Sequence, residues 1–337
     1  MTTGTTQRGG GFGRLARRPE AGSFLGMIVV YVFFTLLGGQ NFLGSPGWSS
    51  WLNMAAEIGT IALPVGLLMI AGQLEISVGA VLPASSLTVA LISGHYELPL
   101  YLGITGGLSV GLAVGFVNGF LVTRTTIPSL IITIGTMFGV MGLTLGFTIL
   151  IAGSTGVFIV PDPLSHAIFG AALGGMFQVG IFWWLGFVAL TYGVLHATPW
   201  GNWVFALGGD KDSARNAGIP TRALTIQLYM ASGFAAAFVG VTQVITFGSA
   251  QVAAGSSFIF NSIMCVVIGG VTLTGGAGSV VGIVFGTITF AIVNQGIFFS
   301  GLDPNFGSII IGALLLTAVL SNDSFRAMAL RYAAKKT

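Results

Sequence analysis

The chain is predicted to be an all-α membrane protein that crosses the bilayer about ten times, with some of its helices discontinuous. Three observations predict this class. Hydrophobic residues make up 54% of the chain and charged ones 6%, against roughly 25% charge in soluble domains. From residue 223 to residue 302 there is no Asp, Glu, Lys or Arg, and a water-soluble fold rarely leaves so long a run without a charge to face solvent. The twelve basic residues gather in four patches: Arg8, Arg14, Arg17 and Arg18; Arg124; Lys211, Arg215 and Arg222; and Arg326, Arg331, Lys335 and Lys336. At roughly 20 apolar residues per crossing, 337 residues leave no room for a sizeable soluble domain.

The elements follow in order. The apolar run 23–37 comes after a basic segment, as in a signal peptide. No small-x-small cleavage site follows it before Trp48 and Trp51, so it reads as a retained first helix. Residues 52–92 are too long for one crossing and carry a glycine-bounded break, GQLEISVG at 72–79; they read as the second and third helices. A fourth helix is predicted over 99–122 and a fifth over 128–151, with Arg124 in the turn between them. Residues 152–178 hold Asp162, two prolines and many glycines, the composition of an external loop with some interfacial structure. The sixth helix is predicted over 179–196. After an island at 198–222 come a seventh over 223–245, an interrupted eighth over 258–271, a ninth over 280–299 and a tenth over 306–320.

An even count puts both termini on one side. With a cytoplasmic N-terminus, all four basic patches face the cytoplasm, while Glu97, Asp162 and Asp303 fall in outside loops without Lys or Arg. Short loops rich in Lys and Arg fix orientation in this sense. The predicted organisation is therefore a cytoplasmic tail at 1–22, one transmembrane domain at 23–322 with a cytoplasmic loop at 198–222, and a second cytoplasmic tail at 323–337. Positive charge clustered by side is not the stripe that binds nucleic acid. Two glycine-interrupted segments, 67–81 and 266–281, echo each other weakly, and discontinuous segments in corresponding positions point to a transport path.

Bond chemistry has little to stand on. The chain contains no GxxxxGK[ST] or HExxH, so it lacks its own phosphate-cradling loop, and an ATP-driven process needs another subunit. No catalytic residue is assigned. His95, His166 and His196 lie near predicted helix ends without metal-ligand spacing, and Cys265 is the single cysteine, which excludes a disulfide within the chain. In the island, Asp210 or Asp212 can cap a helix that Gly218 and Pro220 stop after about two turns. Such a helix is marginal alone and is stabilised by docking into a partner's groove; an ordinary cytoplasmic loop with a helical turn is the plainer alternative.

The island, WGNWVFALGGDKDSARNAGI at 200–219, resembles the cytoplasmic loop of permease subunits in bacterial ATP-binding-cassette monosaccharide importers. These are the ribose, xylose and galactose type, carbohydrate uptake family 2, with the pattern FGRxxYAIGGNxxAARxAGI. Three more stretches match in order: GQLEISVG at 72–79 is similar to GGIDLSVG, IPSLIITIGTM at 127–137 to PSFIVTLGTM, and VVIGGVTLTGG at 266–276 to VVIGGTSLFGG. The resemblance spans nearly the whole chain. It implies a multi-pass subunit of the bacterial inner membrane that works with a second permease subunit, as a homodimer. Cytoplasmic ATPase subunits carrying ATP and Mg lie beneath the pair, and a periplasmic sugar-binding protein lies above. It implies a transport subunit rather than an enzyme, without a cofactor of its own, and assigns coupling to the ATPase to Asp210, Asp212, Ser213, Arg215 and Gly218. Asn261 stands where that family carries Asp, which puts a role of that acid in doubt here.

Glu57 and Glu75 are the carboxylates nearest membrane depth, where a charge costs roughly 2.5 to 3.5 kcal/mol on insertion scales. Asn53, Glu57 and Thr60 share a helix face and with Glu75, Gln243, Asn261, Asn294 and Gln295 form the candidate translocation path. Buried amides also join transmembrane helices to one another, and the spacing of Gly135 and Gly139 suits close helix packing. Two alternatives keep open the cargo and the energy source: an ATP-driven permease for a branched-chain amino acid or nucleoside, and a proton-coupled carrier using Glu57 or Glu75. The lack of a buried basic residue for a substrate carboxylate argues against an amino acid.

Overall fold

A computed structural model describes residues 20–301, 303–310, 312–313 and 316–317. Both predicted tails, apart from residues 20–22, lie outside the described residues, and the predicted tenth helix is described only in part. Eight described helices are long and apolar enough to cross a membrane. They are α1 (Glu20–Leu43), α2 (Ser45–Ile70), α3 (Val78–Ala90, extended by a π turn at Leu91–His95), α4 (Leu100–Arg124), α5 (Ser129–Ala152), α6 (Gly180–Ala197), α9 (Thr221–Phe247) and α11 (Val280–Phe299). Between α6 and α9 stand two short helices, α7 (Pro199–Gly209) and α8 (Lys211–Asn216), and the interrupted crossing is α10 (Phe258–Ile268). Among the described residues the order of crossings is the predicted one.

Two starts differ from expectation. α2 begins at Ser45, seven residues before the predicted start at 52, because Pro46 sits in its first turn, where a missing N–H costs nothing. The island holds two helices instead of one: α7 starts with Pro199 and buries Gly201, Val204 and Leu207, a three-residue spacing that lays one face on the bundle.

α2 and α9 form the centre, with α3 and α11 against them, while α1, α5 and α6 lie at the periphery. The most extensive pairing joins α4 to α9. Gly103, Gly107, Gly111, Gly115 and Gly119 recur every fourth residue on α4 and are buried. A Cβ at Gly111 would run into the Gly233 carbonyl and one at Gly115 into the Tyr229 carbonyl, so only glycine lets these backbones meet. Gly135 and Gly139 differ: they meet no other described helix of this chain. Nothing in the described chain lies within 4 Å of where their Cβ atoms would be, and the same holds for Gly142 and Gly146. α5 turns this stripe away from the bundle and packs its other face on α3 and the turn before it, where Met137 clusters with Ala80 and Ile76.

The segment predicted as an external loop folds on itself. β1 (Gly156–Phe158) pairs antiparallel with β4 (Ser249–Gln251), with Val157 opposite Ala250, and β2 (Ala172–Leu173) pairs with β3 (Phe177–Gln178) in a tight hairpin. Between them Asp162 caps a short turn by accepting the Ser165 N–H at 3.0 Å. That bond holds the Asp162 carboxyl below its ordinary value.

Candidate functional site

Three groups of residues come together along α2. The first lies at its C-terminal end. Asp210, in extended conformation, accepts the Ser213 N–H at 2.6 Å and so starts α8, and the Ser213 side chain and backbone together hold its carboxyl below the ordinary range. Arg215 pairs with Asp212 at 3.3 Å, an exposed pair that contributes little stability. Gly218, at φ +84°, ends the projection. The structure thus gathers Asp210, Asp212, Ser213, Arg215 and Gly218 on one exposed knob, anchored by buried Ala214.

Beneath the knob, backbones touch. A Cβ on Gly208 would run into the Ile70 carbonyl and lie 2.6 Å from the Gly276 nitrogen, and one on Gly275 would lie 2.8 Å from the Gly72 Cα. Gly276 N–H donates to the Ile70 carbonyl at 2.8 Å. Gly72 and Gly275 have φ of +75° and +83°, a region open to glycine at no steric cost. The two glycine-interrupted segments that echo each other in sequence are therefore in contact, and the end of α7 is wedged against both.

The second group surrounds Glu75 in the turn between α2 and α3, outside both spans. Its carboxylate accepts the Ser77 N–H at 2.6 Å and the Asn118 amide at 3.0 Å; the same amide reaches the Ser77 hydroxyl at 2.8 Å. Next to it, Leu74 N–H donates to Ser129 Oγ and Leu74 carbonyl accepts from Tyr229 hydroxyl, both at 3.1 Å. The turn is thereby tied to α4, α5 and α9. Glu75 is only 2% exposed, and burial pushes its carboxyl up to about 7 against the pull of these hydrogen bonds. Water does not reach it, contrary to what a position at a helix end suggests.

The third group lies nearer the N-terminal end of α2. Asn53, Glu57 and Thr60 share a face as predicted, and Gln243 of α9 donates its amide to Glu57 Oε2 at 2.8 Å. A void of about 20 Å³ beside them is lined by Glu57, Thr60, Phe169, Gln178, Thr242 and Thr246. That volume admits a water molecule and no sugar ring. Phe169 stacks on Trp183 at 5.9 Å, and Phe238 stands edge-on to both. Asn53 closes the top: its amide nitrogen donates to the Met176 carbonyl at 2.8 Å and its oxygen accepts the Gln178 N–H at 2.9 Å.

The remaining candidates lie apart. Gln295 accepts from Ser50 at 2.6 Å and donates to Asn294 at 3.3 Å and to Met54 sulfur at 3.0 Å, which fastens α11 to a different side of α2. Asn261 is half-buried on α10. Reasoning from sequence did not select Asn118, Gln178, Thr242, Thr246 or Phe169. Only Asn118 carried a local signal, as the one amide on the α4 glycine stripe.

The family described as branched-chain amino acid transport system / permease component matches residues 47–319. The fructose import permease protein of Rhizobium meliloti is 28% identical over 317 residues, covering 92% of this chain and 87% of the relative. The ribose import permease protein of Bacillus subtilis is 31% identical over 304 residues, 89% of this chain and 92% of the relative. The autoinducer 2 import system permease protein of Photorhabdus laumondii is 30% identical over 265 residues, 78% and 79% respectively. No solved structure matches.

Proposed function

The chain belongs to the family of branched-chain amino acid transport system / permease components, which makes it a multi-pass membrane transport subunit of an ATP-binding-cassette importer, and we propose that its cargo is a monosaccharide or a related polyol. It would act with a second copy of itself, cytoplasmic ATPase subunits and an external sugar-binding protein, in a bacterial inner membrane. Arg124, Lys211, Arg215 and Arg222 at helix ends and short loops support a cytoplasmic α7–α8 end, since positive charge at short loops favours the cytoplasm.

The observation that carries the reading is the exposed, capped knob that directly follows α7, whose end is seated backbone to backbone on both broken segments. A partner that grips α8 moves α7, and Gly208 passes the displacement to Ile70 and Gly276 without a flexible side chain between them. From Ile70 to Glu57 is roughly 20 Å along α2 at 1.5 Å per residue, with Pro64 inside the helix between them, so α2 is the continuous element that joins the knob to the polar void. Two sites biasing one rigid element is what coupling requires. A proton-coupled carrier has no use for such a knob.

Two features support a neutral polyol. The polar groups on the void are a carboxylate, an amide and threonine hydroxyls, set beside aromatic faces. Among the described residues no Lys or Arg lies deep in a crossing to receive the carboxylate of an amino acid. The test is reconstitution with the ATPase and binding protein in vesicles. Uptake of labelled neutral sugar that needs ATP and survives collapse of the proton gradient is expected; uptake that follows the proton gradient without ATP overturns the reading. In the same assay Arg215→Glu should leave ATP hydrolysis in place and reduce uptake.

A further inference from the structure

We propose that the β2–β3 hairpin is the outer gate of this path and that Asn53 is its latch, a positioning residue that holds the gate shut in the present conformation. The inference rests on the reading above for which side is outside.

Three observations converge on it. First, the hairpin is held from below by one side chain. The Asn53 amide meets the strand edge at two points, the Met176 carbonyl and the Gln178 N–H, and this is the pairing a neighbouring strand would supply. An Asn side chain offers one donor and one acceptor side by side, and Asp, Leu or Ser cannot reproduce both bonds.

Second, the hairpin has little else to keep it in place. None of residues 172–178 is buried, and Leu173 and Met176 are exposed. Its own ladder is two residues per strand around Gly174 and Gly175, with Val179 N–H returning to the Ala171 carbonyl at 2.8 Å. Few buried apolar contacts put an element at the low-stability end of a fold, where it opens locally without global unfolding.

Third, the hairpin covers something. Gln178 lines the void that also holds Glu57, Thr60, Thr242 and Thr246. The void has room for no more than a water molecule in this conformation, so cargo enters only after its cover moves. Asn53 and Glu57 lie one turn apart on the same face of α2, so a tilt of α2 that displaces the Glu57–Gln243 bond also displaces the latch. The knob, the lever and the gate are then one mechanical series.

Thiol labelling tests the gate without knowledge of the cargo. Thr242→Cys is introduced with Cys265→Ala to remove the native thiol, and the intact importer in sealed vesicles is treated from the outside with a membrane-impermeant maleimide. With the latch intact, labelling at 242 is slow. Asn53→Ala removes two hydrogen bonds and should accelerate it by about tenfold or more; Asn53→Asp keeps the acceptor for Gln178 N–H, loses the donor to Met176, and should fall between. Each variant is first checked for elution as an assembled complex, and Asn53→Asp serves if Asn53→Ala does not assemble. Equal rates in wild type and in the assembled latch variants overturn the gate. Labelling requires neither ATP nor sugar, so that failure would leave the importer reading intact, and a failure of ATP-driven uptake would leave the labelling result standing.

Discussion

Glu57 and Glu75 belong to the same stretch of chain, yet their surroundings assign them opposite tasks. Glu75 is enclosed, accepts bonds from Ser77 and Asn118, and sits in a turn that α4, α5 and α9 hold in place. Glu57 has one partner, Gln243, and borders a void. A buried carboxylate whose acceptors are filled by backbone and amide donors fixes a conformation. One with unfilled acceptors facing a void is available to something that arrives. The difference teaches that depth in the membrane does not identify a path residue; the number of unfilled acceptors does.

The largest effect should come from the glycine junction beside the Glu75 turn. In Gly208→Ala the new methyl meets the Ile70 carbonyl and the Gly276 nitrogen, both backbone atoms that cannot rotate away. Overpacking of this kind costs about 3 kcal/mol and should appear as a lowered unfolding midpoint in detergent, together with loss of coupled uptake. Gly209→Ala, one residue on, meets nothing within 4 Å and should change stability by less than about 1 kcal/mol. Similar midpoints for the two variants would mean that α7 does not bear on the broken segments.

A smaller, pH-dependent effect should single out Glu75. Its carboxyl binds a proton at about 7 in the folded chain against 4.5 ordinarily. Between those values the folded chain holds a proton that the unfolded chain has lost, so stability falls as pH rises from about 4.5 to about 7 and then levels off, by up to about 1.4 kcal/mol per pH unit. Glu75→Gln does not titrate and should flatten the profile relative to wild type. Asn118→Leu strips a hydrogen bond from a buried carboxylate and should cost about 2 kcal/mol above pH 7. Parallel profiles for wild type and Glu75→Gln would show that the turn does not carry a titrating group.

Much of this architecture is readable from the amino-acid string, for physical reasons that also mark where reading stops. Crossings are legible because each needs a long apolar run, bounded here by glycine- and proline-rich breaks and by charge patches. The knob is legible because Asp210 and Gly218 cap a helix locally. What is not legible is which of two equal patterns meets a partner. Gly103 to Gly119 and Gly135 to Gly146 carry similar spacings, and only the first is buried within the chain; nothing in either helix says which way its face is turned. The broken segments could be seen to echo each other, but their contact through Gly72, Gly208 and Gly275 joins residues far apart in sequence. The same holds for Gln178 over Glu57. α7 was missed because its apolar face is short and glycine-rich and looks like loop.

The smallest effect on stability should fall on Glu57, and that smallness is the sharpest form of the comparison. Gln has the shape of Glu, and its carbonyl oxygen still accepts the Gln243 amide, so Glu57→Gln keeps the bond and removes only a charge that burial disfavours. The unfolding midpoint should move by less than about 1 kcal/mol in equivalent stability. ATP-driven uptake should nevertheless fall, because a carboxylate that can accept from several hydroxyls becomes an amide that offers one acceptor and two donors. Glu57→Leu extends the series: it leaves the Gln243 amide without its acceptor, and both stability and uptake should then drop. Should Glu57→Gln unfold the protein while Glu75→Gln leaves transport impaired and the fold untouched, the two carboxylates have been assigned the wrong way round. α2 would then be fixed at its outer half and free at its inner end, the reverse of what a lever driven from the knob requires.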